Sequence, residues 1–185
     1  MQIWLIAIVA IAVIIILWFI GTYNSLISLR NKVKDQWAQI DVQLKRRADL
    51  IPNLVETVKG YAKHEKKTLE DVVKARNTFV EASTPEDEIK SSGELTKALS
   101  KLMMLSESYP ELKANENFLN LQSDLKDTED KISMMRQFYN DIVMKYNNKV
   151  QVIPSNIVAN MCNFKEVAFF EVSDDERKAP KVSFE

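Results

Sequence analysis

The chain has 185 residues, a net charge of −1, one cysteine and one histidine. The balanced charge gives no overall attraction to nucleic acid, one cysteine cannot form an intramolecular disulfide, and one histidine excludes a histidine-rich metal site. With only 3 glycines and 5 prolines, the composition indicates long helices with few turns.

The first element is an uncharged apolar stretch at residues 3–20, IWLIAIVAIAVIIILWFI. As a helix it would be about 27 Å long, close to the roughly 30 Å hydrocarbon core of a bilayer. Trp4 lies near one end, and Trp18 and Tyr23 lie near the other, where aromatic rings prefer the interface. We therefore expect residues 1–22 to form a single-pass membrane anchor, with lipid as the partner of residues 3–20.

Two other interpretations of this stretch are weaker. A cleaved signal peptide needs a basic start and a small-x-small cleavage site, whereas residues 1–2 carry no charged side chain and residues 19–23 offer no such site. A buried core helix usually has 10–14 apolar residues, fewer than here. An uncleaved anchor is the interpretation that the sequence favours.

Lysine and arginine predict the orientation of this anchor. None precedes it, and basic residues outnumber acidic ones between residues 22 and 50. The positive-inside rule then places the N-terminus outside and the C-terminal part in the cytoplasm. The basic residues are Arg30, Lys32, Lys34, Lys45, Arg46 and Arg47.

Apolar residues then recur at helical spacing through residues 23–153, which we expect to form a helical bundle. Only Gly21 separates the anchor from the first stripe, so the membrane helix should continue into a helix at 23–50. Pro52 either starts a new helix at its first position or kinks a continuous one, and a second helix is predicted at 52–82. The first stripe is Leu26, Leu29, Val33, Trp37, Ile40 and Leu44.

Two further helices follow. Thr84 can cap a helix at 85–109, with Pro85 at its first position, and Pro110 opens a helix at 111–150. The last helix carries a heptad seam, typical of left-handed helix packing. The predicted fold is therefore all-α, with the membrane helix continuing into an elongated antiparallel four-helix, up-down-up-down bundle. The seam is Leu121, Leu125, Thr128, Ile132, Met135, Tyr139, Ile142 and Tyr146.

Residues 154–185 form a C-terminal tail of different character. Apolar runs at 167–172 and 181–184 flank the acidic stretch 174–176. Either the tail packs its phenylalanines along its own bundle, or it docks as a strand-like segment onto a neighbouring subunit. The candidate contact residues are Phe169, Phe170 and Phe184.

The sequence offers little for catalysis. His64-Glu65 begins like a zincin helix, but Thr68 stands where the second histidine would be. No Glu-x-x-His pair or glycine-rich phosphate loop occurs, and no nucleophile–base set can be argued from one histidine on a charged helix face. We therefore predict no enzyme, no catalytic residue, no metal ligand and no cofactor.

The best candidate for interaction is the block at 45–53. If the first helix is continuous, this block lies about 38 Å beyond the membrane, well past a Debye length of about 8 Å from its own lipid. Either Asp41, Arg47 and Asp49 pair inside the bundle near Tyr139 and Asn140, or the tip binds an acidic partner or tail. The candidate residues are Lys45, Arg46, Arg47, Asp49 and Asn53.

Six segments form a recognisable pattern: 23–30, DVQLKRRADLIPNLV at 41–55, GYAKHE at 60–65, YPELKAN at 109–115, YND at 139–141 and PKVSF at 180–184. Together they resemble the LemA family, from the anchor to the C-terminus. This resemblance implies a bacterial or archaeal membrane protein with an N-terminal anchor and an antiparallel helical bundle, and it implies no established activity. Ala48 departs from the pattern, where a bulkier polar residue such as histidine is expected, and Cys162 lies outside it.

Two functions fit these features. In the first, the protein is a non-enzymatic scaffold that is anchored in the cell membrane and self-associates at its surface as a homo-oligomer. In the second, it is a monomeric adaptor that presents the bundle tip to another membrane or envelope-stress protein. Size in mild detergent discriminates between these functions.

Overall fold

The computed structural model describes residues 2–171, which form six α-helices and no β-strand. The all-helical prediction is confirmed, whereas the four-helix arrangement stays a prediction. Contacts divide the described residues into unit 1 (residues 2–39 and 135–169) and unit 2 (residues 40–134 and 170–171). The helices are α1 Gln2–Tyr61, α2 Lys66–Glu81, α3 Pro85–Ser106, α4 Pro110–Lys113, α5 Glu116–Gln151 and α6 Ser155–Met161.

The apolar stretch forms the N-terminal part of α1. Within residues 2–171, α1 is the one helix that is long and apolar enough, by length and composition, to cross a membrane. None of its most apolar 18-residue window is buried inside the protein. A core helix would be covered by neighbouring elements, so this exposure favours the membrane anchor over the buried-core interpretation.

Helix α1 continues through Pro52, so the prediction of a new helix at 52–82 is wrong. Proline has no N–H to donate to the carbonyl four residues earlier, that of Ala48. The Nε of Arg76 on α2 donates to this carbonyl instead, at 3.4 Å. A side chain from a neighbouring helix thus satisfies the acceptor that proline leaves open, and α1 runs on to Tyr61.

The break falls at residues 62–65, where the sequence predicted an unbroken helix. Gly60 weakens the end of α1, and the polar run at 63–67 contains no apolar residue that packing could bury. The Glu65 N–H donates to the Ala62 carbonyl in a tight turn, and the Leu69 N–H donates to the Glu65 carbonyl as α2 begins.

The cap of α3 is confirmed, and its end differs slightly from the predicted 109. The Thr84 Oγ1 accepts a hydrogen bond from the Asp87 N–H at 3.2 Å, and Pro85 occupies the first turn. The Ser106 Oγ donates to the Met103 carbonyl at 2.6 Å, and the last helical residue is Ser106.

The predicted fourth helix at 111–150 is two helices, α4 and α5. Asn115 separates them because its Oδ1 accepts from the Phe118 N–H at 2.9 Å, as an N-cap does. Every residue of the predicted heptad seam is buried or half-buried, so the apolar face of α5 is the one that the pattern indicates. Helix α6 was not predicted and lies within the predicted tail.

In unit 1, α5 and α1 run in opposite directions. The rings of Trp37 and Tyr139 meet edge to face at 5.6 Å between centroids. Tyr146 lies seven residues further along α5, and Arg30 lies seven residues back along α1. Burial raises the pKa of the Tyr146 phenol, and the nearby charge of Arg30 lowers it in part. These two pairs set one antiparallel register.

Helix α6 ends in a Schellman motif. Asn163 adopts the left-handed conformation at φ 55°, which asparagine tolerates, and the Phe164 N–H donates to the Ala159 carbonyl at 2.9 Å. This turn places the ring of Phe164 against α1, edge to face with Tyr23 at 5.8 Å and with the Arg30 guanidinium 5.1 Å from its centroid.

Candidate functional site

The centre of the predicted cationic block is buried in unit 2. The side chain of Arg47 is 2% exposed, and its Nη1 donates to Glu129 Oε2 at 2.6 Å and to Thr96 Oγ1 at 3.0 Å. Its Nη2 donates to Ser92 Oγ at 2.6 Å and to the Ser92 carbonyl at 3.3 Å. Arg47 thus links α1 to α3 and α5 within this unit.

These partners differ from the expected ones. The sequence suggested that Arg47 pairs near Tyr139 and Asn140, whereas its bonds go to Ser92, Thr96 and Glu129. Its Nε is buried without a hydrogen-bond partner among residues 2–171. A buried guanidinium is stable only when charge and hydrogen bonds compensate its lost hydration, so Arg47 fixes the positions of three helices.

Lys45 lies beside two carboxylates on the same unit. Its Nζ donates to Asp41 Oδ2 at 2.6 Å, and this hydrogen bond raises the pKa of Lys45. Burial raises the pKa of the half-buried Glu88, the charge of Asp41 adds to this effect, and Lys45 partly offsets it. The charge of Lys45 therefore pairs with Asp41 and acts on the nearby Glu88.

The remaining candidate residues of the block are exposed, as the Lys45 side chain is. Arg46 lies 3.9 Å from Asp124, and its side chain is 46% exposed. Asp49 and Asn53 are exposed, and the Asn53 carbonyl accepts from Thr57 Oγ1 at 2.8 Å. Of the predicted interaction residues, Lys45, Arg46, Asp49 and Asn53 are accessible to a partner, and their role in binding stays a prediction.

Two turns that carry the LemA resemblance meet in unit 2. The Tyr109 hydroxyl donates to Glu65 Oε1 at 3.2 Å, and Asn115 Nδ2 donates to the Tyr61 hydroxyl at 2.9 Å. Burial and this acceptor raise the pKa of Tyr109. The turns at 61–65 and 109–115 are thereby tied together by side chains.

A groove of about 870 Å³ lies between the end of α1 and the length of α2. Its apolar lining comes from Val55, Leu69 and Val73. Its rim is predominantly basic, with Lys59, Lys63, Lys66 and Lys74 against Glu70 and Glu81. An apolar floor with a basic rim fits a ligand that presents large apolar side chains beside acidic ones.

Polar side chains of α5 hold the extended segment 164–169 in unit 1. The Asn147 amide donates to the Val167 carbonyl at 2.9 Å and accepts from the Val167 N–H at 3.0 Å. The hydroxyls of Tyr139 and Tyr146 donate to the carbonyls of Ala168 and Lys165. This segment satisfies its backbone without β-pairing, so the β-formers at 167–171 are not in a strand.

The three predicted tail phenylalanines have different surroundings. Phe169 is largely exposed, whereas Phe170 is buried. Phe184 lies outside the described residues. Residues 165–168 of the tail thus bond to α5 of their own chain, and docking of the tail onto a neighbouring copy stays a prediction.

No group of three or more histidine, cysteine or acidic side chains placed to hold a metal occurs within residues 2–171. His64 is exposed on the turn between α1 and α2.

Sequence reasoning missed four residues that organise these sites. Ser92, Thr96 and Glu129 look like ordinary polar positions on amphipathic helices, and Arg76 looks like a solvated cation. A proline inside a helical pattern signals one open carbonyl, but the pattern does not say which side chain fills it. Thr128 and Ser92 are polar residues on the apolar faces of their helices, and such a residue in a sequence indicates buried hydrogen bonding.

Comparison with known protein sequences finds a matching family model and several relatives. The model of the LemA family matches residues 36–184. Protein LemA of Metamycoplasma hominis is 27% identical over 163 residues, which cover 86% of this chain and 73% of the relative. Magnetosome protein MamQ 1 of Paramagnetospirillum magneticum is 24% identical over 89% of this chain and 72% of its own length.

A third relative, magnetosome protein MamQ of Magnetospirillum gryphiswaldense, is 25% identical over 87% of this chain and 70% of its own length. These relatives and the single N-terminal apolar helix fit a membrane location. Because the family model covers most of the chain, including the block at 45–53 and the turns at 61–65 and 109–115, the chain belongs to the LemA family.

Proposed function

We propose that this protein is a non-enzymatic scaffold, anchored in the cell membrane by residues 3–20, that self-associates at the membrane surface. The observation that carries the proposal is the basic-rimmed apolar groove between α1 and α2. Its proposed occupant is the C-terminal segment of a second copy, residues 171–184.

The chemistry of this segment complements the groove. It contains Glu171 and the acidic run 174–176, which oppose the lysines of the rim, and Val182 and Phe184, which suit the apolar floor. Opposite charges around an apolar contact favour one register of binding over others. The groove and the segment thus match in both charge and hydrophobicity.

The geometry of such a contact supports an assembly. Each copy carries one groove and one C-terminal segment, so a contact between two copies leaves one groove and one segment open. A contact of this heterologous kind either closes into a ring or extends into a filament. An anchor confines the copies to one plane and raises their effective concentration.

The names of the relatives give further support. MamQ and MamQ 1 are named as magnetosome proteins, and we take a role in a larger membrane-associated body as the corresponding proposal for this chain. The orientation with the N-terminus outside stays a prediction from the basic residues at 30–47.

Mass in mild detergent tests the proposal. We expect the full chain to form complexes several times the mass of one 21.3 kDa chain, by light scattering with the detergent subtracted. Removal of residues 172–185, or reversal of charge in Lys59→Glu, Lys63→Glu, Lys66→Glu, should reduce them to single chains because the groove loses its occupant or its basic rim.

The matched control reverses three exposed lysines of the same unit outside the groove, Lys90→Glu, Lys101→Glu and Lys126→Glu. This variant has the same net charge as the groove variant and should stay assembled. A single chain under all gentle conditions would refute the scaffold and favour the monomeric adaptor, whose accessible residues would be Lys45, Arg46, Asp49 and Asn53.

A further inference from the structure

A second apolar surface lies at the turn between α5 and α6. The side chains of Val152, Ile153, Ile157 and Met161 are 57%, 77%, 54% and 72% exposed. Ile157 and Met161 lie four residues apart on one face of α6, and together with Ile153 in the turn before this helix they form the exposed apolar stripe. The opposite side of α6 is buried through Val158 and Ala159. Helix α6 is therefore apolar both toward the protein and away from it.

The register of unit 1 places this stripe beside the anchor. Trp37 faces Tyr139 and Arg30 is near Tyr146. Each step back along α1 therefore matches one step forward along α5. The Val152 N–H still donates to the Asn148 carbonyl, so the helical path extends through Val152. Ile153 is then level with Tyr23, about 4.5 Å beyond Ile20.

This distance is comparable to the thickness of the lipid headgroup region, about 5–7 Å on each side of the hydrocarbon core. Where residues 3–20 cross the bilayer, Ile153 lies in that headgroup region. The contact of Phe164 with Tyr23 and Arg30 independently holds the end of α6 against residues 23–30 of α1, the segment that follows the anchor.

The charges of unit 1 suit the same surface. Outside the anchor, basic residues outnumber acidic ones in this unit. Lysine and arginine bury their stems at an interface while their charged ends reach lipid phosphates. The basic residues are Arg30, Lys32, Lys34, Arg136, Lys145, Lys149 and Lys165, and the acidic ones are Asp35, Asp141 and Glu166.

We propose that the α5–α6 turn and α6 form a second membrane contact, in which Ile153, Ile157 and Met161 insert into the interfacial region of the bilayer that α1 crosses. This inference rests on the anchor in the proposed function, and it does not depend on self-association. The bilayer is favoured over a second copy as occupant because the register places Ile153 only about 4.5 Å beyond the last residue of the membrane-spanning segment.

The consequence is mechanical. The tilt of a single spanning helix, and its rotation about the bilayer normal, are set by the residues that anchor it at the interface. A second apolar contact, held to α1 by Phe164, fixes one face of unit 1 toward the lipid.

Spin-label depth measurements test this inference in the full chain. In a Cys162→Ser background, nitroxides are placed by Ile153→Cys, Ile157→Cys and Met144→Cys, and the protein is reconstituted into vesicles of zwitterionic and anionic phospholipid. Met144 is also exposed on α5 but lies about 13.5 Å further from the bilayer than Ile153. A fourth label, Ile11→Cys, reports insertion of the anchor.

We expect labels at Ile153 and Ile157 to lose collisions with a water-soluble nickel chelate and to gain collisions with oxygen relative to Met144. Equal nickel access at Ile153 and Met144, with Ile11 protected, would overturn the second contact and leave the anchor standing. Nickel access at Ile11 would overturn both. Shielding of Ile153 from both reagents, with spin–spin broadening, would overturn the lipid contact in favour of a second copy.

Discussion

Replacement of Arg47 by alanine is expected to lower the free energy of unfolding by about 3 kcal/mol. The change removes hydrogen bonds to Ser92, Thr96 and Glu129 and leaves a cavity among three helices. We place the value at the lower end for a broken buried ion pair, about 3–5 kcal/mol, because the Glu129 side chain is 42% exposed. Chemical denaturation of the detergent-solubilised chain measures it.

The neighbouring cation is the matched control. Arg46→Ala removes the same charge from an exposed position and should change the stability by less than about 0.5 kcal/mol. The loss of stability in Arg47→Met should lie between those in Arg46→Ala and Arg47→Ala. Methionine refills the space but leaves the Ser92 hydroxyl without its partner. Equal effects of Arg46→Ala and Arg47→Ala would show that the buried network does not stabilise the fold.

Replacement of Asn147 by alanine is expected to cost about 2 kcal/mol and to release the segment 164–169 from α5. The change leaves the N–H and the carbonyl of Val167 without their side-chain partners. Hydrogen exchange at the Val167 amide should therefore accelerate more than exchange in the core of α5.

Two variants make this second expectation specific. Asn148→Ala alters the exposed neighbour and should leave exchange at Val167 unchanged. Asn147→Asp keeps an acceptor for the Val167 N–H and loses the donor to its carbonyl, so it should protect that amide better than alanine does. Unchanged exchange in Asn147→Ala would contradict the proposed fastening of the segment.

The helical stripes could be read from the sequence because they depend on local spacing. Leu26, Val33, Ile40 and Leu44 are buried as their spacing predicts, and Thr84 caps α3. Pro52 misled the prediction because its effect depends on a residue 24 positions away, Arg76, which bonds the carbonyl that proline leaves open. The short helix α6 was missed because seven residues give too little periodicity.

The candidate site was only partly predictable for a similar reason. Lys45, Arg46 and Arg47 are adjacent cations, and their sequence does not distinguish the buried one from the exposed ones. Helical geometry turns each residue by about 100°, so adjacent residues face different directions. The partners of Arg47 lie 45, 49 and 82 positions away along the chain, beyond any local pattern.

Cross-linking between two tagged copies tests the central claim of self-association most directly. In a Cys162→Ser background, one copy carries Phe184→Cys and the other carries Val73→Cys in the groove, and both are reconstituted together. Mild oxidation should give a disulfide-linked product that contains both tags. Val42→Cys, exposed on the same unit outside the groove, should not replace Val73→Cys.

A chain that carries both Phe184→Cys and Val73→Cys distinguishes the alternatives for the tail. The scaffold predicts linkage between copies in this variant, in a ladder of increasing mass. Linkage confined to single chains, with no product containing both tags in the mixed sample, would contradict self-association through the groove and show that the tail packs on its own bundle.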